Sequence, residues 1–489
     1  MGKKAKFIGR QDELGRLIAA TKKNTASFIV IKGRRRIGKS RLVDEFSKNF
    51  SRYYKFEGLA PDKNTSHSDQ LEIFCRQIAK KFKIPKAKYD DWSDAFWVVG
   101  ERIETGKVLL FFDELSWMGS KDPMFLGKIK SFWDNQLNKN NQLIFIVCSS
   151  ASGWIEKNLL SSTGFVGRIS LTLKLEELTL FNCNEFWPKN ISAYEKFKVL
   201  GVTGGIPKYL EEINSKESAE ENIKQLCFTD GGILVKEFNR IFSDLFLRNS
   251  AFYKKIIHVL ADGAKEHTEI EESVCKGSDK THIGRISEYL WELSESGFVK
   301  RDYTWDLRTG RDSKISKYRL QDNYLRFYVK YIEKSLTKIE RNAFNWKSLV
   351  LLPEWNSIMG FQFENLVLNN RKAVHKILGI TPDEIVCENP FFQRRTLRTQ
   401  GCQIDYMIQT KFGSLYICEI KFSKNAINSS IVEEVEKKFN KLKFPKGLSA
   451  RFVLIHVNGV DDSVIDGDFF YRIIDMSELL TISEIPGKS

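Results

Sequence analysis

The stretch SFIVIKGRRRIGKSRLVDEF constrains the fold of this chain more than any other. Phe28 to Ile31 form an apolar run suited to a buried strand. Leu42, Val43 and Phe46 recur at helical spacing beyond G-x-x-x-x-G-K-S, which spans Gly33 to Ser40. Gly33 and Gly38 let the backbone wrap an anion, and the amides at the start of the helix face it. Lys39 then reaches the β and γ oxygens of a nucleotide, and Ser40 supplies a ligand for Mg2+. The predicted nucleotide-binding set is Gly33, Arg34, Arg35, Arg36, Ile37, Gly38, Lys39, Ser40 and Arg41.

Such a loop needs a second strand that ends in acids. KVLLFFDELSWM supplies one: Val108 to Phe112 are apolar, Asp113 is placed to hold Mg2+ through water, and Glu114 to polarise the attacking water. QLIFIVCSS reads as a third strand, whose Ser149 and Ser150 either sense the γ-phosphate or start the next helix. Helical patterns such as HSDQLEIFCRQIAKKF and MFLGKIKSFWDNQL alternate with these strands, which predicts a parallel sheet with helices on both faces.

FIGRQDELGRL, GRRRIGKSRL, FFDEL, GFVGRISLTLKLEEL and GGIPKYL follow one another in the order seen in the archaeal-type ATPases, a branch of the STAND and AAA-related P-loop proteins. Residues 1–215 resemble that family. The resemblance implies ATP as the nucleotide. It places Gly9 and Arg10 near the adenine, although Asp12 as a helix N-cap explains the local pattern equally well. It makes Arg168 a catalytic candidate that supplies charge to a phosphate transition state, with a surface salt bridge as the alternative. Gly204, Gly205 and Pro207 would form the turn of a helical lid.

The length of 489 residues and a hydrophobic fraction of 42% allow several cores. Eight scattered cysteines without a C-x-x-C pair argue against a disulfide framework or structural zinc, and no His lies in a catalytic motif, which leaves chemistry to carboxylates and lysines. A formal charge of +15 favours nucleic acid as partner, DNA first of all, and a homo-oligomer is admitted as well. No apolar, uncharged run reaches about eighteen residues, and the N-terminus turns polar after a short basic start; the expected address is the cytoplasm, with no membrane partner.

After the polar segment NSKESAEEN, the stretches SAFYKKIIHVLADG, HTEIEESVC and THIGRISEYLWELSESGFVKRD read as three helices, the last closed by Gly297. A strand, the polar turn TWDLRTGRDSKIS and a returning strand KYRLQD complete a winged-helix outline over 216–335. Ile283, Ile286, Leu290 and Leu293 turn inward, while Lys280, His282 and Arg285 lie where a recognition helix meets base edges; the wing offers Arg308, Arg311 and Lys314. Solvated charge and an interdomain joint are the competing readings. DNYLRFYVKYIEK reads as an amphipathic bridging helix.

Near the far end, GSLYICEIKF is an apolar strand interrupted by Glu419 and Lys421 on one side. An acid followed two residues later by Lys arises by chance about three or four times in a chain of this size. Glu436 and Lys438 share the spacing but lie in the polar helical run IVEEVEKKFNKLK, where charges carry no penalty. CQIDYMIQT returns through KFG and sets Asp405 beside Glu419 in a hairpin; IMGFQFENLVLNNR carries Glu364 on a helix, and Glu388 in CENP is a competing acid. This order of acids is similar to the PD-(D/E)xK nuclease core, over residues 336–489. The resemblance implies that Glu364, Asp405 and Glu419 gather Mg2+ and that Glu419 and Lys421 act in cleavage, with Lys421 orienting the attacking water. A buried ion pair in an inactive domain is the structural alternative.

The expected fold is α/β: a P-loop parallel sheet with helices on both faces over 1–215, a winged-helix domain over 216–335, and an α/β restriction-endonuclease-like domain over 336–489. The expected function is an ATP-binding and hydrolysing switch coupled to a Mg2+-dependent DNA endonuclease, in a defence or mobile-element setting. An ATP-regulated DNA-binding or assembly scaffold and an ATP-driven remodeller are its rivals.

Overall fold

A computed structural model of the chain describes residues 6–60, 65–245, 249–275, 284–344, 348–397 and 399–483. They fall into two compact units. The first holds the chain up to Glu177 with two short stretches that begin at Ile241 and Trp291, and the second holds the remainder. The break at Glu177 comes before the expected boundary at 215, and no break between compact units falls at 335.

In the first unit β1 (Ser27–Lys32), β2 (Arg52–Glu57), β3 (Val108–Asp113), β4 (Leu143–Ser149) and β5 (Ile169–Lys174) form one sheet. The order is β2-β3-β4-β1-β5 and every pair is parallel. The inner strands β1, β3 and β4 are buried at every position, which is why they read as unbroken apolar runs; the edges β2 and β5 are half-buried. The helices His67–Phe82, Trp92–Glu101 and Phe125–Asn135 share an aromatic core with the sheet. Phe96 stacks on Phe132 at 4.9 Å, and Phe112 meets Phe145 edge-on at 5.1 Å. Caps fix where these helices begin: Ser66 N donates to Asp69 Oδ2 (2.8 Å) and Asp69 N to Ser66 Oγ, and Ser93 N donates to Asp91 Oδ1.

The middle of the chain forms the helices Ser250–Ala261, His267–Cys275 and Ile286–Glu295, followed by the antiparallel strands β6 (Val299–Asp306) and β7 (Arg311–Leu320). Ile286, Leu290 and Leu293 are buried; Lys280, His282 and Ile283 lie outside the described residues. The expected polar turn is mostly strand. Only 307–310 turns, because Asp306 Oδ1 accepts from Arg308 N, Thr309 N and the Thr309 hydroxyl, and Gly310 takes φ 67°. The expected amphipathic helix is also different: Asn323–Phe327 is buried on every side, Arg326 included. Arg326 is accommodated by donating from its two terminal nitrogens to Gln362 Oε1 (2.9 Å) and Leu320 O (3.0 Å), while its Nε is buried without a hydrogen bond.

The last sheet comprises β8 (Ile385–Gln393), β9 (Cys402–Thr410), β10 (Ser414–Phe422), β11 (Ser449–Val457) and β12 (Arg472–Asp475), in the order β12-β11-β10-β9-β8. β8, β9 and β10 are antiparallel, whereas β10, β11 and β12 are parallel. Lys411–Gly413 joins β9 to β10, with Gly413 at φ 71°. The register pairs Cys418 with Tyr406, which makes Glu419 and Asp405 neighbours. Among the described residues no helix is long and apolar enough to cross a membrane.

Candidate functional site

At the end of β1 the chain turns through Gly33–Ser40 into the helix Lys39–Phe46. Gly38 caps that helix at φ 95°, and a Cβ on Gly33 would meet Leu175 O at 2.6 Å, so both glycines are needed by the turn. Lys39 is buried, and its Nζ donates to Gly33 O (2.8 Å), Arg34 O (3.1 Å) and Ser150 Oγ (2.9 Å). Ser40 Oγ donates to Asp113 Oδ2 at 2.7 Å. Glu114 holds a left-handed backbone (φ 55°) at the tip of β3, and its carboxylate accepts from Ser150 N (2.9 Å) and Ser150 Oγ (2.5 Å). Of the two candidate serines, Ser150 therefore joins Lys39 and Glu114, and Ser149 pairs with Ser116.

Lys55 was not among the candidate residues. From β2 its Nζ reaches Asp113 Oδ2 at 2.8 Å, the oxygen that also accepts from Ser40, while Cys148 Sγ donates to Asp113 Oδ1. Burial opposes ionisation of Asp113, but the Lys55 charge and these hydrogen bonds hold its pKa below the ordinary value. The sequence shows two cations, Arg52 and Lys55, in RYYKFE, but only the strand order sets β2 against β3. Ser40 and Asp113 are hard oxygen donors at a helix N-terminus, a set that suits Mg2+ beside nucleotide phosphates.

Two expectations need correction. Arg168 does not come to the loop: it precedes β5, whose first residue pairs with Phe28 while Lys32 pairs with Lys174, so Arg168 stands at the opposite end of the parallel sheet. There its guanidinium makes two hydrogen bonds to Asp134, at 2.7 and 2.8 Å. Arg10 is a brace, donating to Ile37 O (3.2 Å) and Glu176 O (2.5 Å). It also occupies the N-cap position expected of Asp12, without a side-chain cap.

In the second unit Asp405, Glu419 and Lys421 come together on β9 and β10. Ile420 N donates to Asp405 Oδ2 (3.0 Å), and Lys421 Nζ lies 3.2 Å from Glu419 Oε1 and 2.7 Å from Glu434. The larger surprise is Lys438, dismissed above as solvated. From the helix Ser430–Lys441 its Nζ donates to both Glu419 oxygens (2.7 and 2.6 Å) and lies 3.7 Å from Asp405, so one ammonium bridges the two acids. Burial works against the charged Lys438, yet Asp405 and Glu419 keep its pKa above the ordinary lysine value. Glu436 is exposed. Glu388 belongs elsewhere, with His375 Nε2 at 2.7 Å and the Tyr406 hydroxyl.

Among the described residues no three His, Cys, Asp or Glu side chains converge closely enough to cage a metal ion. Two adjacent carboxylates nonetheless suit Mg2+, which is commonly held by one or two carboxylates together with substrate phosphates. Glu364 is the outlying acid. Burial first, then the charge of Asp405, pushes its pKa up to about 8, and burial with Glu419 pushes Asp405 up to about 6. Both folded-state values exceed the unfolded ones, so the stabilisation from these retained protons is present at low pH and lost as pH rises through the folded pKa values. In metal-free buffer the melting temperature is therefore expected to fall between about pH 5 and 8.5, and less so in Glu364→Gln. Parallel melting-temperature curves for the two proteins would remove Glu364 from this account.

A parallel sheet with a glycine-rich loop at the end of β1, a lysine buried in that loop and a serine facing the acid at the tip of β3 define a P-loop ATPase domain. Residues 7–213 match the family of ATPase domains predominantly from Archaea, and this part of the chain is an archaeal-type ATPase domain. Protein MJECL04 of Methanocaldococcus jannaschii, itself uncharacterized, is 29% identical over 371 residues, covering 74% of this chain and 76% of that protein. The Walker-type ATPase PABY2304 of Pyrococcus abyssi is similar in structure with a TM-score of 0.48 and 16% identity, over 66% of this chain and 96% of that one. ORC2 of Aeropyrum pernix, in ADPNP–ADP complexes, follows with a TM-score of 0.43 and 11% identity, over 69% and 97%.

Proposed function

We propose that the chain binds and hydrolyses ATP between the Gly33–Ser40 loop and the acids at the tip of β3, and that its nucleotide state switches a Mg2+-dependent cleavage of DNA at Asp405 and Glu419. The observation that carries the first part is the 2.7 Å contact of Ser40 with Asp113 beside the buried ammonium of Lys39. When bound, Mg2+ neutralises charge on the phosphate oxygens and lowers the pKa of coordinated water. Lys39 brings positive charge to the phosphates, the loop amides position them, and Glu114 accepts a proton from the attacking water at its carboxylate. A catalytic part for Arg168 would require a neighbouring copy of the chain, that is, a homo-oligomer.

In the last sheet Asp405 and Glu419 would hold the ion and Lys421 would orient water against the scissile phosphate. The run of three helices and the β6–β7 hairpin supports reading the middle of the chain as a winged helix, with Arg308, Arg311 and Lys314 on its wing. Arg285 is exposed and paired with Glu288 at 3.1 Å, an ion pair that a base contact would replace. One observation favours a second reading: Lys438 already neutralises Glu419, as expected of a domain that grips nucleic acid without cutting it.

Plasmid nicking separates the two. The first reading expects ATP turnover, and nicking that needs Mg2+, stops in EDTA and changes in rate with ATP. ATP turnover with no nicking in Mg2+ or Mn2+ would leave the scaffold reading standing, and a chain that binds no ATP would end both.

A further inference from the structure

We infer that a groove in the second unit, between the β6–β7 turn, the end of β8 and the loop from Lys443 to Leu448, binds a single strand of nucleic acid; the inference rests on the nucleic-acid part of the function proposed above. The groove encloses about 1170 Å³, larger than the usual small-molecule pocket. Its floor is apolar. Trp305 and Phe391 belong to the core beneath it, Trp305 held by its Nε1 hydrogen bond to Gln409 (2.7 Å) and by edge-on contact with Phe391 at 5.2 Å, and the half-buried Phe444 and Pro445 supply apolar surface at the opening.

The rim has the opposite character. Arg308, Lys443 and Lys446 are exposed on it, and Arg394 stands beside them in an ion pair with Glu266. Asp306 is the one acid among the described lining residues, and its Oδ1 is committed to the hairpin turn. The basic loop is tied in place: Gln393 Nε2 donates to Lys441 O (2.8 Å), and Lys443 N donates to Gln393 Oε1 (2.9 Å). A ligand matched to this surface carries regularly spaced negative charge and flat apolar groups. A single strand offers both, phosphates to the rim and unpaired bases to the floor, whereas a duplex keeps its bases stacked inside. Phe391 pairs with Ile404, the residue before Asp405, and the basic loop follows the helix that carries Lys438.

The test uses the full chain in EDTA, so that cleavage plays no part, and a fluorescein-labelled oligothymidine of about 15 nucleotides read by anisotropy between about 50 and 200 mM salt. Arg308→Glu/Lys443→Glu/Lys446→Glu is expected to weaken binding at least about tenfold and to flatten the log–log salt slope by about 2, from three lost phosphate contacts at roughly 0.7 each. Lys443→Gln/Lys446→Gln, the milder change, should flatten it by about 1.4. Failure of the parent to bind any oligonucleotide sinks the nucleic-acid reading and the groove with it. Binding that the triple reversal leaves intact sinks the groove alone, as does tighter binding of a duplex of the same length or equal competition by polyglutamate.

Discussion

Lys39→Ala is expected to weaken ATP binding by roughly 100-fold or more, whereas Glu114→Gln should bind ATP like the parent and lose turnover by about 10²- to 10⁴-fold. The difference follows from where the groups sit. Lys39 is a buried cation whose hydrogen-bond partners are two loop carbonyls and Ser150, none of them charged, so a phosphate would be its first anionic hydrogen-bond partner. Among the described residues Glu114 is linked to Lys39 through Ser150, whose N and Oγ donate to its two oxygens; in the amide analogue Oε1 can still accept from Ser150 N while Nε2 donates to Ser150 Oγ. Titration calorimetry reports binding and phosphate release reports turnover. Unaltered turnover in Glu114→Gln would assign the base elsewhere, and unaltered affinity in Lys39→Ala would remove the phosphate site from this loop.

Asp405→Ala and Glu419→Ala should each abolish Mg2+-dependent cleavage while ATP turnover persists, because the acids and the nucleotide loop belong to different compact units. Lys438 sharpens this expectation. Glu419 is almost fully buried while the Lys438 side chain remains about one-third exposed, at 32%. Removing Lys438 therefore leaves the buried carboxylate with Lys421 alone, 3.2 Å away, at up to about 3 kcal/mol, whereas removing Glu419 leaves an ammonium that can turn to water and costs less. Lys438→Met should accordingly melt well below Glu419→Gln. If the acids hold Mg2+, millimolar Mg2+ should restore much of the Lys438→Met melting temperature, through binding to the folded state alone. A Lys438→Met protein that Mg2+ does not stabilise, together with intact cleavage in Glu419→Ala, would leave Lys438 and Glu419 as a structural ion pair.

The parts legible in the sequence were those written in local pattern. Phe28–Ile31, Val108–Phe112 and Leu143–Val147 are strands buried on both faces, so their apolar runs are unbroken, and the loop after the first needs glycine at Gly33 and Gly38 for backbone reasons alone. The β9–β10 hairpin is likewise local, since Lys411–Gly413 is short enough to bind both strands into one register. Misreadings arose where a polar residue found its partner across the fold. Asn323–Phe327 looks amphipathic until Gln362 meets Arg326, and Lys438 looks solvated because nothing within its own helix reveals the acids it faces.

What the sequence by itself determined was the kind of element at each position and the chemical groups at strand ends: Lys39 and Ser40 after one strand, Asp113 and Glu114 after another, Asp405 and Glu419 across one turn. Strand order and helix packing lay beyond it. Only the order β2-β3-β4-β1-β5 puts Lys55 on Asp113, only the parallel direction of β5 carries Arg168 to the far end of the sheet, and only the docking of Ser430–Lys441 brings Lys438 to Glu419. The reason is physical: local pattern reports which face of an element is buried, but a charge is placed by whatever lies across from it, and that neighbour is chosen by the packing of elements distant in the chain.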